Sequence, residues 1–327
     1  MNLLSIIHYL PVLMSSEMPQ IFLPTIPIAP DGYKSGFVGI IGRPNVGKST
    51  LMNYLVGQKI AITSAVAQTT RNRLKGILTT PEAQIIFVDT PGIHKPHHAL
   101  GKILVKNAQT AINAVDIILF VVDSSVKAGG GDRYIQELLE TTKTPIILGL
   151  NKQDQQPSDY EAIDESYRNL AKVYNWPLIK FSALTGEGLE TLQKQLIDHL
   201  EPGPYYYPPD LVTDQPERFI MGELIREQIL KVTRQEVPHS VAVVIEKVEE
   251  TPKITKVFAA INVERESQKA IIIGKKGSML KEIGITAREQ IQKLITGEVY
   301  LELFVKVEPK WRQSNLRLAE FGYRLEN

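Results

Sequence analysis

The sequence predicts an α/β domain built on a mostly parallel six-stranded sheet, followed by a small α+β domain. Three observations lead to this prediction. In the first part of the chain, apolar runs of strand length alternate with helix-length segments, as in parallel sheets with crossover helices. A proline-rich segment at 202–215 then interrupts the pattern. Beyond it, one helical segment precedes two successive strand-like runs, so the order of elements changes.

The first domain is predicted to span residues 35–201. Its continuous apolar runs suit strands that are buried on both faces, and they lie at 37–42, 85–88, 117–122, 145–150 and 178–181. The candidate helices lie near 48–57, 99–114, 130–142, 159–174 and 188–200. A sixth strand at 73–79 is expected to pair antiparallel with 84–88 through a turn at Pro81.

The second domain is predicted to span residues 216–327. We expect a helix at 216–233, strands at 240–249 and 256–263, a glycine-rich turn, short helices near 277–283 and 286–295, and a strand at 299–307. Four prolines between Glu201 and Asp210 mark the linker, because proline cannot continue the preceding helix and stiffens a connection.

Composition limits the classes of function. The 327 residues are 43% hydrophobic and 22% charged, which argues against wholesale disorder. The net charge is only +1, so a nucleic-acid site would have to be a local patch. The absence of cysteine excludes disulfides, a thiol nucleophile and thiolate zinc ligands. Residues 1–34 are predicted to form a poorly ordered leader, and a weak membrane contact is the alternative interpretation.

The segment Gly42–Ser49 has the pattern G-x-x-x-x-G-K-S between a strand and a helix. This context is typical of a P-loop, whose main-chain N–H groups surround phosphate oxygens. We expect Lys48 to reach the β- and γ-phosphates and the Ser49 hydroxyl to bind Mg²⁺. Asp89 ends the next long apolar strand, where a carboxylate would also hold Mg²⁺. The N–H of Gly92 is expected to contact the γ-phosphate.

The tetrapeptide N-K-Q-D, which begins at Asn151, indicates the base. The Asp154 carboxylate can accept from the N1 and N2 donors of guanine, whereas adenine would leave it unpaired. Asn151 can tie the neighbouring loops together, and the stem of Lys152 can cover the face of the purine. In the motif Ser182–Leu184, the Ala183 N–H is a candidate donor to guanine O6. The sequence therefore predicts GTP and GDP as ligands, which makes a metabolic kinase a poor alternative.

The order of these four motifs resembles that of the translation-factor-related P-loop GTPases. The resemblance implies further nucleotide contacts by Gly42, Asn45, Val46, Gly47, Thr50, Ser182 and Leu184. It also implies a first switch loop that supplies a threonine to Mg²⁺ and the γ-phosphate. Thr70 is our choice for that residue, with Thr69 as the alternative. Such a loop is ordered by GTP and released by hydrolysis.

Hydrolysis is expected to be slow without a partner. Ile93 occupies the position at which Ras-like enzymes place a glutamine that orients the attacking water. In a subset of GTPases that the chain resembles, an asparagine at the position of Asn45 helps to bind potassium in place of an arginine finger. The alternative is that Asn45 only satisfies local main-chain groups. His94, His97 and His98 are interpreted as a solvated second switch loop rather than a metal site.

Residues 267–281 carry four lysines and no acidic side chain. Within them, Gly274–Gly277 reads G-K-K-G, and we expect the apolar run 271–273 before it to be a strand that backs a groove for bases. The segment resembles the loop of bacterial-type (type II) KH domains, which clamps single-stranded nucleic acid. The resemblance implies RNA binding by Ile273, Gly274, Lys275, Lys276, Gly277 and Lys281.

A GTPase domain followed by a type II KH domain resembles the Era family of bacterial ribosome-assembly GTPases. The resemblance covers about residues 35–320, and it is carried by stretches such as 214–219 and 305–307 with Trp311. It implies a monomeric, cytoplasmic protein that binds the 3′ end of 16S rRNA in the small ribosomal subunit, with peripheral contact at the inner membrane. GTP is expected to fix the orientation of the two domains. Two alternatives stay open: a membrane-associated signalling GTPase whose second domain binds protein, and an RNA-binding module with a vestigial nucleotide site.

Overall fold

A computed structural model of the chain describes residues 26–64, 74–93, 112, 114–234 and 237–322. The larger domain contains a six-stranded sheet in the order β2-β3-β1-β4-β5-β6. Only β2 runs antiparallel to its neighbour, which confirms the predicted mostly parallel sheet. The strands are β1 (Lys34–Ile41), β2 (Leu74–Thr79), β3 (Ala83–Asp89), β4 (Ile117–Asp123), β5 (Ile146–Asn151) and β6 (Leu178–Lys180).

Helices cover both faces of this sheet, and for that reason its central strands are continuously apolar. The described helices are α1 (Lys48–Val56), α2 (Gly130–Leu139), α3 (Glu161–Lys172) and α4 (Leu189–His199). The helix predicted near 99–114 lies almost entirely outside the described residues. Neighbouring residues of one strand enter opposite cores: Leu119 packs in one apolar cluster and Phe120 in the other. Because β1, β3, β4, β5 and β6 are parallel, their carboxyl ends meet at one edge, where the nucleotide motifs follow.

The segment 202–215 packs along the larger domain rather than crossing solvent. The side chain of Gln84 accepts from the main-chain N–H of Tyr207 at 3.0 Å and donates to its carbonyl at 2.9 Å. The Lys75 ammonium pairs with Asp214 at 2.8 Å. A main-chain hydrogen bond also joins the segment to the outer edge of β2. The linker therefore covers an edge strand that would otherwise present open hydrogen-bonding groups.

The smaller domain is the predicted α+β unit. Its three-stranded sheet has the order β7-β8-β9, with β7 and β8 antiparallel and β8 and β9 parallel. Its elements are α5 (Glu217–Val232), α6 (Val237–Ser240), β7 (Ala242–Glu250), β8 (Ile254–Val263), α7 (Glu266–Ile273), α8 (Ser278–Ile291), β9 (Glu298–Val307) and α9 (Asn315–Glu320). No helix in the described ranges is long and apolar enough to cross a bilayer.

Two predictions for this domain are wrong. The apolar run 271–273 is not a strand but the end of α7. That helix begins early because the Gln268 side chain accepts from the N–H groups of Glu264 and Arg265, at 2.9 and 3.1 Å. The three isoleucines are thereby included in a helix despite their strand propensity.

The second error concerns the helices predicted at 277–283 and 286–295. They form one continuous helix, α8. Ile283, Ala287 and Ile291 recur at four-residue intervals and are all fully buried, so a single apolar face continues across the break that we predicted between 283 and 286.

Helix α5 lies between the two domains. Ten of its residues are buried, on several sides of the helix. The Glu227 carboxylate is fully buried, and it accepts from the Thr63 N–H at 2.9 Å and from the Lys59 ammonium at 2.5 Å. Both of those residues belong to the larger domain, and they lie shortly before the segment in which we predicted the first switch.

Candidate functional site

The loop between β1 and α1 makes two close approaches to its surroundings. A Cβ at Gly42 would lie 2.3 Å from the Val121 carbonyl oxygen, and one at Gly47 would lie 2.3 Å from the Asn151 amide nitrogen. Gly47 also has a φ of 95°, which side chains disfavour. The loop therefore needs glycine at both ends of its turn. Its main chain leads directly into the amino terminus of α1. That arrangement can bind an anion.

Lys48 is held inside this loop. It is 7% exposed, and its ammonium donates to the carbonyl oxygens of Gly42 at 3.1 Å and Arg43 at 2.9 Å. Burial lowers the pKa of Lys48 to about 8, and the charge of Asp89 partly opposes that shift. The loop thus holds a desolvated cation by its carbonyl groups at the start of α1, where a phosphate would gain from the cation and from the helix N-terminus.

The end of β3 faces the start of α1. The Ser49 hydroxyl donates to the Asp89 carboxylate at 2.9 Å, and Asp89 is fully buried. A hydroxyl and a carboxylate are the hard oxygen ligands that Mg²⁺ prefers, so this pair fits the predicted metal. A Cβ at Gly92 would lie 2.7 Å from Pro44, so the main chain after β3 packs directly on the loop.

Asn151 joins three loops at the carboxyl edge of the sheet. Its amide nitrogen donates to the Val46 carbonyl at 2.7 Å, and its amide oxygen accepts from the Ala183 N–H at 2.8 Å. The Ser182 hydroxyl donates to the exposed Asp154 carboxylate at 2.6 Å, which fixes the direction of that carboxylate. The predicted base motifs are therefore brought together. The Ala183 N–H, our candidate donor to guanine O6, is already engaged by Asn151.

The pairing of Lys152 was not predicted. Its ammonium contacts the Asp123 carboxylate at the end of β4, at 2.6 Å. Burial alone would raise the pKa of Asp123, but hydrogen bonds from Lys152 and Ser125 lower it below its ordinary value. The signal in the sequence was a carboxylate ending a third buried strand, at the same position as Asp89. Asp123 therefore fixes the end of the Lys152 side chain within the base site.

The other predicted residues of the nucleotide site lie on the phosphate loop, on α1, after β6, or outside the described residues. Val46 is buried at the turn of the loop, while Asn45 is exposed there with a φ of 64°. Leu184 is 69% exposed, and its N–H is 3.3 Å from the Ser182 hydroxyl. Thr50 lies in the first turn of α1. The remaining predictions, Thr69, Thr70, His94, His97 and His98, lie outside the described residues.

The G-K-K-G loop connects α7 and α8. Gly274 and Gly277 have φ values of 71° and 78°, and a Cβ at Gly274 would lie 2.8 Å from Met279. Lys275 and Lys276 are exposed, and within the described ranges neither forms an ion pair. The loop thus presents two uncompensated cations on a backbone that another chain can approach closely. Ile273 is half-buried beside it, and Lys281 is exposed on α8.

Comparison with known proteins gives matches to both domains. A family model described as a 50S ribosome-binding GTPase matches residues 37–152, and a KH-domain model matches residues 236–312. The chain is 80% identical over 313 residues to the GTPase Era of Rippkaea orientalis, covering 96% of this chain and all of that protein. It is 73% identical over 302 residues to the GTPase Era of a Nostoc species, covering 92% of this chain and 93% of that one.

Two solved structures resemble the whole two-domain arrangement. Era in complex with MgGDPNP and nucleotides 1506–1542 of 16S ribosomal RNA has a TM-score of 0.84 and 39% identity. A single-residue variant of Aquifex aeolicus Era bound to GDP.AlF4⁻ has a TM-score of 0.83 and 39% identity. Each match covers 89% of this chain and 99% of the other chain.

Proposed function

Because the chain belongs to the Era family of GTPases, we propose that it couples GTP hydrolysis to binding of 16S rRNA near its 3′ end during maturation of the small ribosomal subunit. The observation that carries the proposal is the combination, in one chain, of an assembled guanine-nucleotide site with an exposed G-K-K-G loop. The structural relative that contains a 16S rRNA fragment supports the same assignment.

At the phosphate end, we assign the β- and γ-phosphates to Lys48 and the loop N–H groups. Ser49 and Asp89 would hold Mg²⁺ together with Thr70, and the bound ion would neutralise charge on the phosphate oxygens. The Gly92 N–H would contact the γ-phosphate, because its main chain already lies against the loop. These residues orient the phosphates and stabilise developing charge.

At the base end, Asp154 would accept from N1 and N2 of guanine, in the direction that the Ser182 hydroxyl fixes. Guanine O6 would share the Ala183 N–H with the Asn151 amide oxygen. Lys152, held by Asp123, would cover the face of the purine. Adenine would leave the Asp154 carboxylate unpaired, so the site would discriminate by a lost charged hydrogen bond.

Unaided turnover would be slow. Ile93 is 2% exposed, and its N–H donates to the Gly42 carbonyl at 3.1 Å. An apolar side chain in this position has no group that could orient water. We propose that the exposed amide of Asn45 helps to hold potassium near the phosphates. Faster turnover in potassium than in sodium, lost in Asn45→Ala, would support that role.

The second domain would bind single-stranded RNA through Ile273, the G-K-K-G loop and Lys281. The two glycines allow a backbone to approach closely, and the lysines meet phosphates. We take residues 35–201 as the GTPase domain, 202–215 as the linker and 216–327 as the KH domain. Coupling would pass through Glu227, which binds the larger domain just before residues 65–73.

The protein would act in the cytoplasm, where its ribosomal RNA partner is found. It would act there as a monomer. The family resemblance also implies peripheral contact with the inner membrane. Sedimentation with vesicles of anionic lipid would test that contact, and the absence of co-sedimentation would refute it.

The decisive experiment measures GTP turnover in potassium and sodium buffers, with and without a single-stranded RNA from the 3′ end of 16S rRNA. We expect stimulation by that RNA, lost in the variant Lys275→Ala/Lys276→Ala with GTP affinity unchanged. The matched control is Lys253→Ala/Lys293→Ala, which removes the same charge from exposed lysines elsewhere in the domain.

Two results would contradict the proposal. If RNA neither binds nor changes turnover, the second domain serves a protein or a membrane, as in the signalling alternative. If both lysine pairs weaken RNA binding equally, the effect is one of net charge and not of the G-K-K-G loop.

A further inference from the structure

Arg43, the second residue of the phosphate loop, points into the body of the larger domain. Its Nε atom donates to the Asp132 carboxylate at 2.6 Å, across 89 residues of sequence. The Asp132 side chain is fully buried, whereas that of Arg43 is 29% exposed. The guanidinium binds a carboxylate in the first turn of α2 and not a phosphate position, so phosphate binding does not account for the orientation of this side chain.

Neighbouring main-chain groups hold Asp132 in place and leave room for the Arg43 side chain. The second oxygen of Asp132 accepts from the Gly129 N–H at 2.8 Å, so the carboxylate also caps α2. A Cβ at Gly131 would lie 2.6 Å from Cδ of Arg43, so any side chain there would displace the arginine.

The main chain of Arg43 has a different partner from its side chain. Its carbonyl oxygen accepts from the Lys48 ammonium at 2.9 Å, and the Gly42 carbonyl accepts at 3.1 Å. Lys48 therefore takes its position from two consecutive carbonyl groups. One of them belongs to the residue whose side chain is anchored on Asp132.

We propose that Arg43 and Asp132 are positioning residues for Lys48: their ion pair holds the loop carbonyl that orients the lysine toward the phosphates. Losing either partner leaves the other charge uncompensated and frees the Arg43 main chain. The position of Lys48 then becomes variable, and nucleotide affinity falls. This inference rests on nucleotide binding by the phosphate loop, and it is independent of the proposed RNA function.

The test is a double-mutant cycle on GDP affinity in the full chain, measured with a fluorescent GDP analogue. Asp132→Asn keeps an acceptor for the cap and removes the charge. We expect it to weaken GDP binding by about tenfold in the natural background, a coupling typical of contacting residues. In a Lys48→Ala background, where there is no lysine to position, we expect a loss below about twofold.

Two further variants separate positioning from a general loss of structure. Arg43→Met should reproduce the loss of Asp132→Asn, and Arg43→Lys, which keeps a cation beside the carboxylate, should recover part of it. The control is Glu165→Gln, which breaks an ion pair on α3 with Arg168 whose side chains are both 58% exposed. That change should leave GDP affinity unaltered in either background.

Several results would overturn the inference. Equal losses in the two backgrounds would mean that the pair supports the fold and not Lys48. Full affinity in Asp132→Asn would mean that the pair has no role at the loop. A loss of GDP affinity in Arg43→Met that exceeds that of Asp132→Asn and persists in the Lys48→Ala background would make Arg43 a direct phosphate ligand. If Asp132→Asn does not fold, Arg43→Met replaces it in the same cycle.

Discussion

Replacing Glu227 with glutamine should weaken the hydrogen bonds by which the smaller domain is attached to the larger one. The buried carboxylate accepts from the Thr63 N–H at 2.9 Å, the Lys59 ammonium at 2.5 Å and the Gln228 amide at 3.0 Å. Glutamine has one acceptor oxygen, and its NH₂ group would face donors. A hydrogen bond to a charged group contributes about 1.5–3 kcal/mol. Removing one partner of a fully buried pair costs about 3–5 kcal/mol.

The expected loss of unfolding free energy lies at or below the lower end of the range of about 3–5 kcal/mol for a fully buried pair. The side chain of Lys59 is 32% exposed, so its ammonium can be hydrated when the carboxylate is gone. We therefore expect Glu227→Gln to lower the free energy of unfolding of the smaller domain by about 2–3 kcal/mol. Urea denaturation followed by Trp311 fluorescence, in a Trp176→Phe background, measures this quantity because Trp311 is 2% exposed within the smaller domain.

The acid dependence gives a second readout. Burial would raise the pKa of Glu227, but hydrogen bonds from Lys59 and the Thr63 N–H lower it below 4.5, its ordinary value. A lowered folded-state pKa contributes stability above the unfolded pKa, and that stability is lost as pH falls through the folded pKa. Unfolding free energy should thus fall less steeply below pH 4.5 in Glu227→Gln than in the natural protein.

The control for Glu227 is an exposed pair in the same domain. The side chains of Glu246 and Lys306 are 40% and 47% exposed, so Glu246→Gln should change the unfolding free energy by less than about 1 kcal/mol. Equal stabilities of Glu227→Gln and the natural protein, with the same acid dependence, would refute the view that this carboxylate joins the domains.

Three further changes test the two binding sites. Asp154→Asn should lower GTP affinity at least tenfold and raise that for xanthosine triphosphate, whose O2 is an acceptor, in competition binding; unchanged preference would remove Asp154 from the base site. Gly131→Ala should cost about 1–3 kcal/mol in thermal unfolding, because its Cβ would lie 2.6 Å from Arg43; a neutral result would show that the arginine is free to move. Lys275→Ala with Lys276→Ala should reduce the salt slope of RNA binding by about 1.4, at about 0.7 per phosphate contact; an unchanged slope would exclude both contacts.

Local patterns carried most of what the sequence could predict. The phosphate loop, the strand-terminal Asp89 and the N-K-Q-D tetrapeptide each encode their chemistry within a few residues, and the parallel sheet then determines that they meet. The strand predicted at 271–273 failed for a local reason as well. Strand propensity was assigned to three isoleucines, while the capping side chain of Gln268 had already begun a helix.

Long-range pairs could not be predicted in this way. Asp132 is 89 residues from Arg43, and Glu227 is 164 residues from Thr63. A buried carboxylate in a helical pattern looks like any other charged residue until the fold supplies its partner. Asp123 was the one case with a usable signal, because a third buried strand ended in a carboxylate at the level of the other motifs.

The positions of these long-range contacts give the proposed coupling a physical route. Residues 65–73, which include the predicted first switch, are preceded by Thr63 and followed by β2. Thr63 is bound by Glu227 of the smaller domain. At the start of β2, Lys75 pairs with Asp214 of the linker, and its carbonyl accepts from the Thr213 hydroxyl at 2.7 Å. Both ends of the segment are thus attached to chain that leads into, or belongs to, the smaller domain. A nucleotide-dependent change that shifts either end of this segment would act on one of these two attachments, and we propose that it thereby changes the presentation of the G-K-K-G loop.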